Sequence, residues 1–358
     1  MQGTLDADGS TVHLAGDARQ RFYDSRGYGR PTEGGGLALA PVEAAHLLQR
    51  GDIDGIVVDD EALDFRAFLA RTGIVLEFVV YKDLRDRGFY LSPAASADGT
   101  TDADFVVYPR GSGPWDDEVA YRIRVVGERA SVALDTLGAV VLAVVDEDGE
   151  LTYFETTTET PGGTLADDPP TALTGTFLGD RVLVWEPPDA AYEAHFYGQR
   201  LHGRNANEGP LQLSLVEAAF LARRGALTVT DAEGDGDTAT DGTVDGGERA
   251  VIARGRAVEG ERFDRRLRAY TALRAAGGVP KSGFKFGADF RVYETFSTVS
   301  DLSHSDSLVR VVRSDHAVLP RDLSLDVRLA GGVRKRMVFA LTDANGGVDW
   351  LSVARLTP

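Results

Sequence analysis

A tandem duplication of one α+β unit is the fold class that the sequence predicts, and three observations predict it. The first is repetition: "LALAPVEAAHLLQRG" (Leu37 to Gly51) returns as "LQLSLVEAAFLARRG" (Leu211 to Gly225), "YKDLRDRG" (Tyr81 to Gly88) as "YTALRAAG" (Tyr270 to Gly277), and "DFVVY" (Asp104 to Tyr108) as "DFRVY" (Asp289 to Tyr293), in the same order. A looser fourth pair joins "VVLAVVDEDGELTYF" (Val140 to Phe154) with "MVFALTDANGGVDWL" (Met337 to Leu351). The second is length, because 358 residues exceed what one compact core comfortably holds. The third is that helical and strand periodicities occur in both copies.

Each copy reads the same way along the chain. Leu37 to Arg50 and Leu213 to Arg224 carry apolar residues at helical spacing, and Gly51 and Gly225 follow as stop signals. "YTALRAAGG" ends a further helix, while "DFRVYE", "SLVRVVRS" and "RMVFALTD" alternate or run apolar as strands do. "DEDGE" and "DANGG" are turn chemistry between strand pairs. "TETPGGTLADDPPTALTG" (Thr158 to Gly175) is poor in apolar residues and reads as a linker; "TDAEGDGDTATDGTVDGGE" (Thr230 to Glu248) reads as a solvated surface insertion. The expected organisation is therefore an N-terminal subdomain over 1–80, a C-terminal subdomain over 81–160, a linker over 161–175, and a second pair of subdomains over 176–268 and 269–358.

Three spaced motifs in the second half carry a resemblance: "YTALRAAGGVPKSGFKFGADFRVYE", "SHSDSLVRVV" and "GGVRKRMVFALTDANG". In them the chain resembles the archaeal tRNA-splicing endonucleases (tRNA-intron endonucleases), in particular the two-repeat homodimeric type and its haloarchaeal members. The match is close over Tyr270 to Pro358 and weaker in the first half. The resemblance implies a small N-terminal α/β subdomain in each repeat and a nuclease-like C-terminal subdomain, its mixed sheet packed by helices. It also implies an endoribonuclease that removes introns from precursor tRNA at bulge-helix-bulge junctions. No metal or cofactor is needed, and the ends left are a 2′,3′-cyclic phosphate and a 5′-hydroxyl.

The family's catalytic Tyr, His and Lys map onto Tyr293, His304 and Lys335, one per motif. The set suits attack by a ribose 2′-hydroxyl. One group takes the proton of the attacking oxygen, another protonates the departing 5′-oxygen, and a cation stabilises the charged phosphorane. His304 is the natural acid, since imidazole titrates near neutrality. Lys335 is a compact point charge in a chain whose other basic residues are nearly all arginine, and it fits the electrostatic role. An ordinary phenol ionises near pH 10, which leaves open whether Tyr293 is a base or orients the 2′-hydroxyl.

The first half departs from this pattern. Aligning the halves on "RVV" sets Glu118 against His304, and aligning "VVD" with "LTD" sets Gly138 against Lys335; only Tyr108 persists. The first repeat thus reads as catalytically inactive, and dimerisation would bring two live sites to an intron with two ends. By spacing from the lysine, Arg328 and Trp350 fall at the family's RNA-binding positions, which grip a flipped bulge base by cation–π and stacking contacts. The family's acidic dimer-interface loop is matched by Asp146, Glu147 and Asp148 of "DEDGE".

Composition limits the rest. The net charge is −18, and four of the 38 basic residues are lysines. An acidic surplus ordinarily argues against a nucleic-acid partner. An acid-rich, lysine-poor chain nevertheless resembles proteins of salt-loving archaea, where molar salt shortens the Debye length to about 3 Å and screens such repulsion. Absence of cysteine excludes disulfides and cysteine chemistry. With no apolar run of about 18 residues and no leader-like N-terminus, a soluble cytoplasmic protein is expected. Two alternatives stand beside the enzyme: a non-catalytic structural or RNA-binding subunit, and a metal-dependent nuclease using the acidic clusters Asp59 to Asp64 or Asp235 to Asp241 as magnesium ligands.

Overall fold

The computed structural model describes residues 1–97, 102–166, 168–170, 172–203, 208–231 and 247–358. Its first layer is a small sheet of β1 (Gln2–Leu5), β2 (Val12–Leu14), β3 (Arg30–Pro31), β4 (Leu37–Leu39), β5 (Gly55–Val58) and β6 (Glu61–Leu63), in the order β3-β4-β2-β1-β5-β6. In β2 and β4 the outer residues turn inward and the middle one does not, as period-2 patterning requires. The helix Pro41–Gln49 starts on Pro41, where a missing N–H costs nothing, and Glu43 caps it backwards by accepting from the Ala40 amide. The chain leaves that helix through Gly51 at φ 73°, a left-handed conformation glycine adopts freely.

The strands β7 (Leu91–Pro93), β8 (Phe105–Val107), β9 (Tyr121–Gly127), β10 (Val132–Ala133), β11 (Val141–Val145) and β12 (Leu151–Thr157) follow. The next small sheet holds β13 (Leu173–Leu178), β14 (Arg181–Val184), β15 (Gln199–Arg200), β16 (Leu211–Ser214) and β17 (Leu227–Asp231), ordered β15-β16-β14-β13-β17. That order, including the parallel pair β13–β17, repeats β3-β4-β2-β1-β5 pair for pair. The chain ends with β18 (Val279–Ser282), β19 (Phe290–Tyr293), β20 (Ser307–Arg313), β21 (Ala317–Val318), β22 (Arg336–Thr342) and β23 (Val348–Leu356).

Ten of these strands make one sheet, β18-β19-β20-β22-β23-β12-β11-β9-β8-β7, whose two halves mirror each other about the antiparallel seam β12–β23. β10 and β21 pair across the halves as a separate ribbon. One apolar cluster fills each half, running without a break from the small sheet to one face of the large one, as from Val12 through Tyr81 to Ile123. A third lies on the opposite face and mixes Leu142 and Phe154 of the first half with Leu308 and Phe339 of the second. The helix Pro320–Gly332 contributes Leu323, Val327 and Ala330 to it. It connects the parallel strands β20 and β22; the matching connection of β9 to β11 holds β10 and one 3₁₀ turn, Leu134–Thr136.

The expected subdomain boundaries at 80/81 and 268/269 both fall inside helices, Val75–Asp86 and Glu261–Ala275. These helices bury Tyr81 and Tyr270 in the shared cores, so each half closes over its own N-terminal sheet instead of hanging it on a linker. Most of the expected surface insertion, with the Asp235 to Asp241 cluster, lies outside the described residues. The other acidic cluster is spent on local structure: Asp59 pairs with Arg71 at 2.8 Å, and Asp64 caps the helix Phe65–Thr72 through the Ala67 amide. Among the described residues no helix is long and apolar enough to cross a membrane.

Candidate active site

Tyr293 ends β19 opposite Val279 and is 4% exposed, its ring against Phe196 of the N-terminal sheet region at 5.8 Å between centroids. The Arg291 guanidinium lies 5.9 Å from the same ring. The chain then leaves the sheet for a polar loop that returns at β20, and two sets of contacts fix its path. Asp306 closes the base of the loop, its amide donating to the Val292 carbonyl and its carboxylate accepting from the Glu294 amide, both at 2.8 Å. Farther out, Glu193 accepts from the amide and hydroxyl of Ser300 at 3.2 and 2.9 Å.

His304 is exposed on that loop, and the next residue, Ser305, is buried. Lys335 stands at the same end of the sheet, just before β22, which runs parallel to β20 with Arg336 beside Ser307: its Nζ donates to the Ser305 carbonyl at 2.5 Å. The structure therefore holds the ammonium beside the histidine although 30 residues separate Lys335 from Ser305. Its backbone is prepared by Arg334, which sits at φ 56°, a left-handed conformation unusual for a side chain with a Cβ. The turn is closed by the Lys335 amide on the Ala330 carbonyl at 2.9 Å. Burial lowers the Lys335 pKa from its ordinary value and Arg291 lowers it further, while Asp306 opposes both. Arg291 thus faces both Tyr293 and Lys335.

Sequence reasoning missed the frame around these groups. Glu294 accepts from Arg336 at 2.5 Å and from the Ser307 hydroxyl at 3.2 Å, and the Arg336 amide donates to the Asp306 carbonyl. Glu294, Asp306 and Arg336 each adjoin a motif residue or lie two away, which was the only signal available. In the first half, β9 pairs Ile123 with Phe105 and Val141 as β20 pairs Val309 with Phe290 and Val338. That register sets Tyr108, Glu118 and Gly138 opposite Tyr293, His304 and Lys335.

Arg328 and Trp350 are not brought together. Arg328 is exposed on the helix Pro320–Gly332, which covers one face of the sheet. Trp350, opposite Ala340 on β23, is 7% exposed in the cluster on the other face, where it borders a cleft with Ser314, Thr158 and Thr160. A single base cannot be clasped between them in one chain, because the sheet intervenes.

Asp146, Glu147 and Asp148 form the β11–β12 turn. Asp146 is committed inward, its Oδ1 accepting from the amides of Asp148 and Glu150 at 3.0 and 2.8 Å, whereas Glu147 pairs with Arg129 and Asp148 is exposed.

Comparison with known proteins agrees with this arrangement. Residues 263–350 match the family model "tRNA intron endonuclease, catalytic C-terminal domain", and residues 1–69 and 173–240 each match "tRNA intron endonuclease, N-terminal domain". The chain is 62% identical over 363 residues to the tRNA-splicing endonuclease of Haloferax volcanii, covering 100% of both. It is 53% identical to that of Haloarcula marismortui over 99% of each, and 37% identical to that of Methanosarcina acetivorans over 98% of each.

Proposed function

Because the chain belongs to the tRNA-splicing endonuclease family, and so is an endonuclease that excises introns from precursor tRNA, we propose that it cuts by attack of the RNA's own 2′-hydroxyl, without a metal ion, using Tyr293, His304 and Lys335. The 2′-hydroxyl gives its proton to solvent water as its oxygen bonds to the adjacent phosphorus, the bond from phosphorus to the 5′-oxygen breaks, and His304 delivers a proton to that oxygen. The products are a 2′,3′-cyclic phosphate and a 5′-hydroxyl. Lys335 stabilises the extra negative charge of the phosphorane, and Tyr293 orients the 2′-hydroxyl. The observation that carries this reading is the Lys335 ammonium seated on the carbonyl next to His304. An acid and a cation on one exposed rim suit a phosphodiester that needs both.

The same reading takes the chain as a tandem duplication with an inactive first repeat. Its support is the repeated strand order and a register that matches Glu118 and Gly138 to the acid and the cation. Two chains, docked through Glu147 and Asp148, present two active sites to a bulge-helix-bulge substrate in the cytoplasm. Arg328 binds RNA from its exposed helix face, and Trp350 contributes from the rim of its own cleft.

The test is a synthetic bulge-helix-bulge RNA with 2′-deoxyribose at one cleavage site, incubated with chelator. Cleavage is expected at the all-ribose site, with cyclic phosphate ends, and none at the deoxy site. Cutting at the deoxy site, or loss of all cutting in chelator, overturns the proposal.

A further inference from the structure

The two halves differ at one buried ion pair outside the active site. In the second half the Glu217 carboxylate accepts from the Gly198 and Ser214 amides, both at 3.0 Å, and from the Lys281 ammonium at 2.6 Å. Lys281 Nζ also donates to the Gly198 and Phe196 carbonyls at 2.7 and 3.1 Å, and both side chains are 8% exposed. In the first half Glu43 has the matching backbone partners: it accepts from the Gly29 amide at 2.8 Å and the Ala40 amide at 2.9 Å, and it is 2% exposed, though Ala40 lacks the hydroxyl that Ser214 adds at 2.9 Å in the second half. The lysine is missing. Lys281 pairs with Arg291, two residues before Tyr293, and the residue that pairs two before Tyr108 is Ser92. Where the lysine side chain would lie there is a cleft of about 200 Å³ lined by Gly29, Arg30, Glu43, Ser92 and Tyr108.

We propose that the first half binds a small monovalent cation, of potassium or ammonium size, beside the Glu43 carboxylate, in the place that the Lys281 ammonium occupies in the second half. Removing one partner of a buried ion pair leaves the other charge uncompensated, an outcome proteins avoid by neutralising it. The site's chemistry selects the class of ion. The Glu43 carboxylate and the Ser92 hydroxyl at the cleft are hard oxygen donors, which suit alkali cations, and one carboxylate balances one positive charge. The cleft has room for the ion with water of its own. Arg85 and the cleft residue Arg30 both favour ionised Glu43, yet among the described residues neither makes an ion pair with it. With nothing bound, burial pushes the Glu43 carboxyl up to about 7, whereas at Glu217 burial is outweighed by Lys281 together with the Ser214 and Gly198 amides, and the carboxyl lies below its usual value.

The decisive experiment is crystallography of the full chain in thallium(I) acetate, thallium standing in for potassium and reporting its position by anomalous scattering. A peak is expected next to Glu43, none next to Glu217, and none at either place in Ser92→Lys, whose ammonium restores the missing partner. In parallel, the wild-type melting temperature is expected to be several degrees higher in potassium acetate than in choline acetate of equal concentration. Most of that difference should vanish in Ser92→Lys. If Ser92→Lys does not fold, Glu43→Gln takes its place with the same expectation. Wild-type crystals without the peak, a peak that survives Ser92→Lys, or a potassium effect unchanged in the variant each overturn the proposal.

Discussion

At the scale of single residues the proposed chemistry makes sharply different demands on two pairs of matched positions. His304→Ala is expected to lower single-turnover cleavage by roughly 10²-fold or more, as for loss of a general acid, with RNA affinity unchanged in a filter-binding assay. Tyr108→Phe should be silent in both assays, because the positions matched to His304 and Lys335 in its half hold Glu118 and Gly138. Arg328 and Trp350 should likewise part company. Arg328→Ala removes an exposed charge, so RNA binding falls while the urea midpoint stays. Trp350→Ala empties a core position and should cost about 3–5 kcal/mol of stability by urea denaturation. Titration of His46 gives a pH test. Its Nδ1 meets the Tyr28 hydroxyl at 2.9 Å, and burial first, then the Arg85 charge, takes its pKa down to about 4 from 6.5. The unfolded chain thus binds the proton more readily, so acidification from pH 6.5 toward 4 costs up to about 3 kcal/mol, and stability is regained as the pH rises. Urea midpoints across that range should slope less in His46→Gln than in the wild type. These residues were legible to different degrees. His304 and Lys335 stand in short polar segments where their types are informative, but spacing from Lys335 could not tell which face of the sheet receives Arg328 and which Trp350. That depends on strand alternation and on a helix crossing one side.

Among elements, the acidic β11–β12 turn shows how geometry narrows a charge-counting argument. Asp146 is occupied in holding the turn, and an asparagine there would keep the accepting oxygen. Glu147→Gln with Asp148→Asn should therefore suffice to shift the protein toward monomer in sedimentation at its working salt, with cleavage of a two-bulge RNA falling in parallel. An exposed pair contributes only about 0–1 kcal/mol, so a large shift would identify these charges as desolvated between subunits. A variant still dimeric and active would return the turn to solvent. Most strands were readable from sequence because period-2 burial and turn residues are local signals. The helices Val75–Asp86 and Glu261–Ala275 span the expected boundaries: their apolar residues serve two sheets at once, and no local pattern says how many partners a buried face has.

For the whole molecule, the shared ten-stranded sheet and the mixed cluster on its far face predict a single cooperative unfolding transition. Calorimetry should find no separate melting of the first and second halves, despite their repeated topology. The seam β12–β23 carries a further consequence, for the order in which the protein is made. β23 is synthesised after every strand it shares the sheet with, yet it lies in the middle of that sheet, between β22 and β12. While the chain is still growing, β12 therefore presents an unpaired edge that carries Tyr153 and Phe154, the kind of edge that recruits strands from neighbouring chains. A nascent chain must wait for β23 before the edge of its first half is covered. Translation halted just before β23 is expected to yield a polypeptide that contains Tyr293, His304 and Lys335 and still aggregates, as light scattering would show.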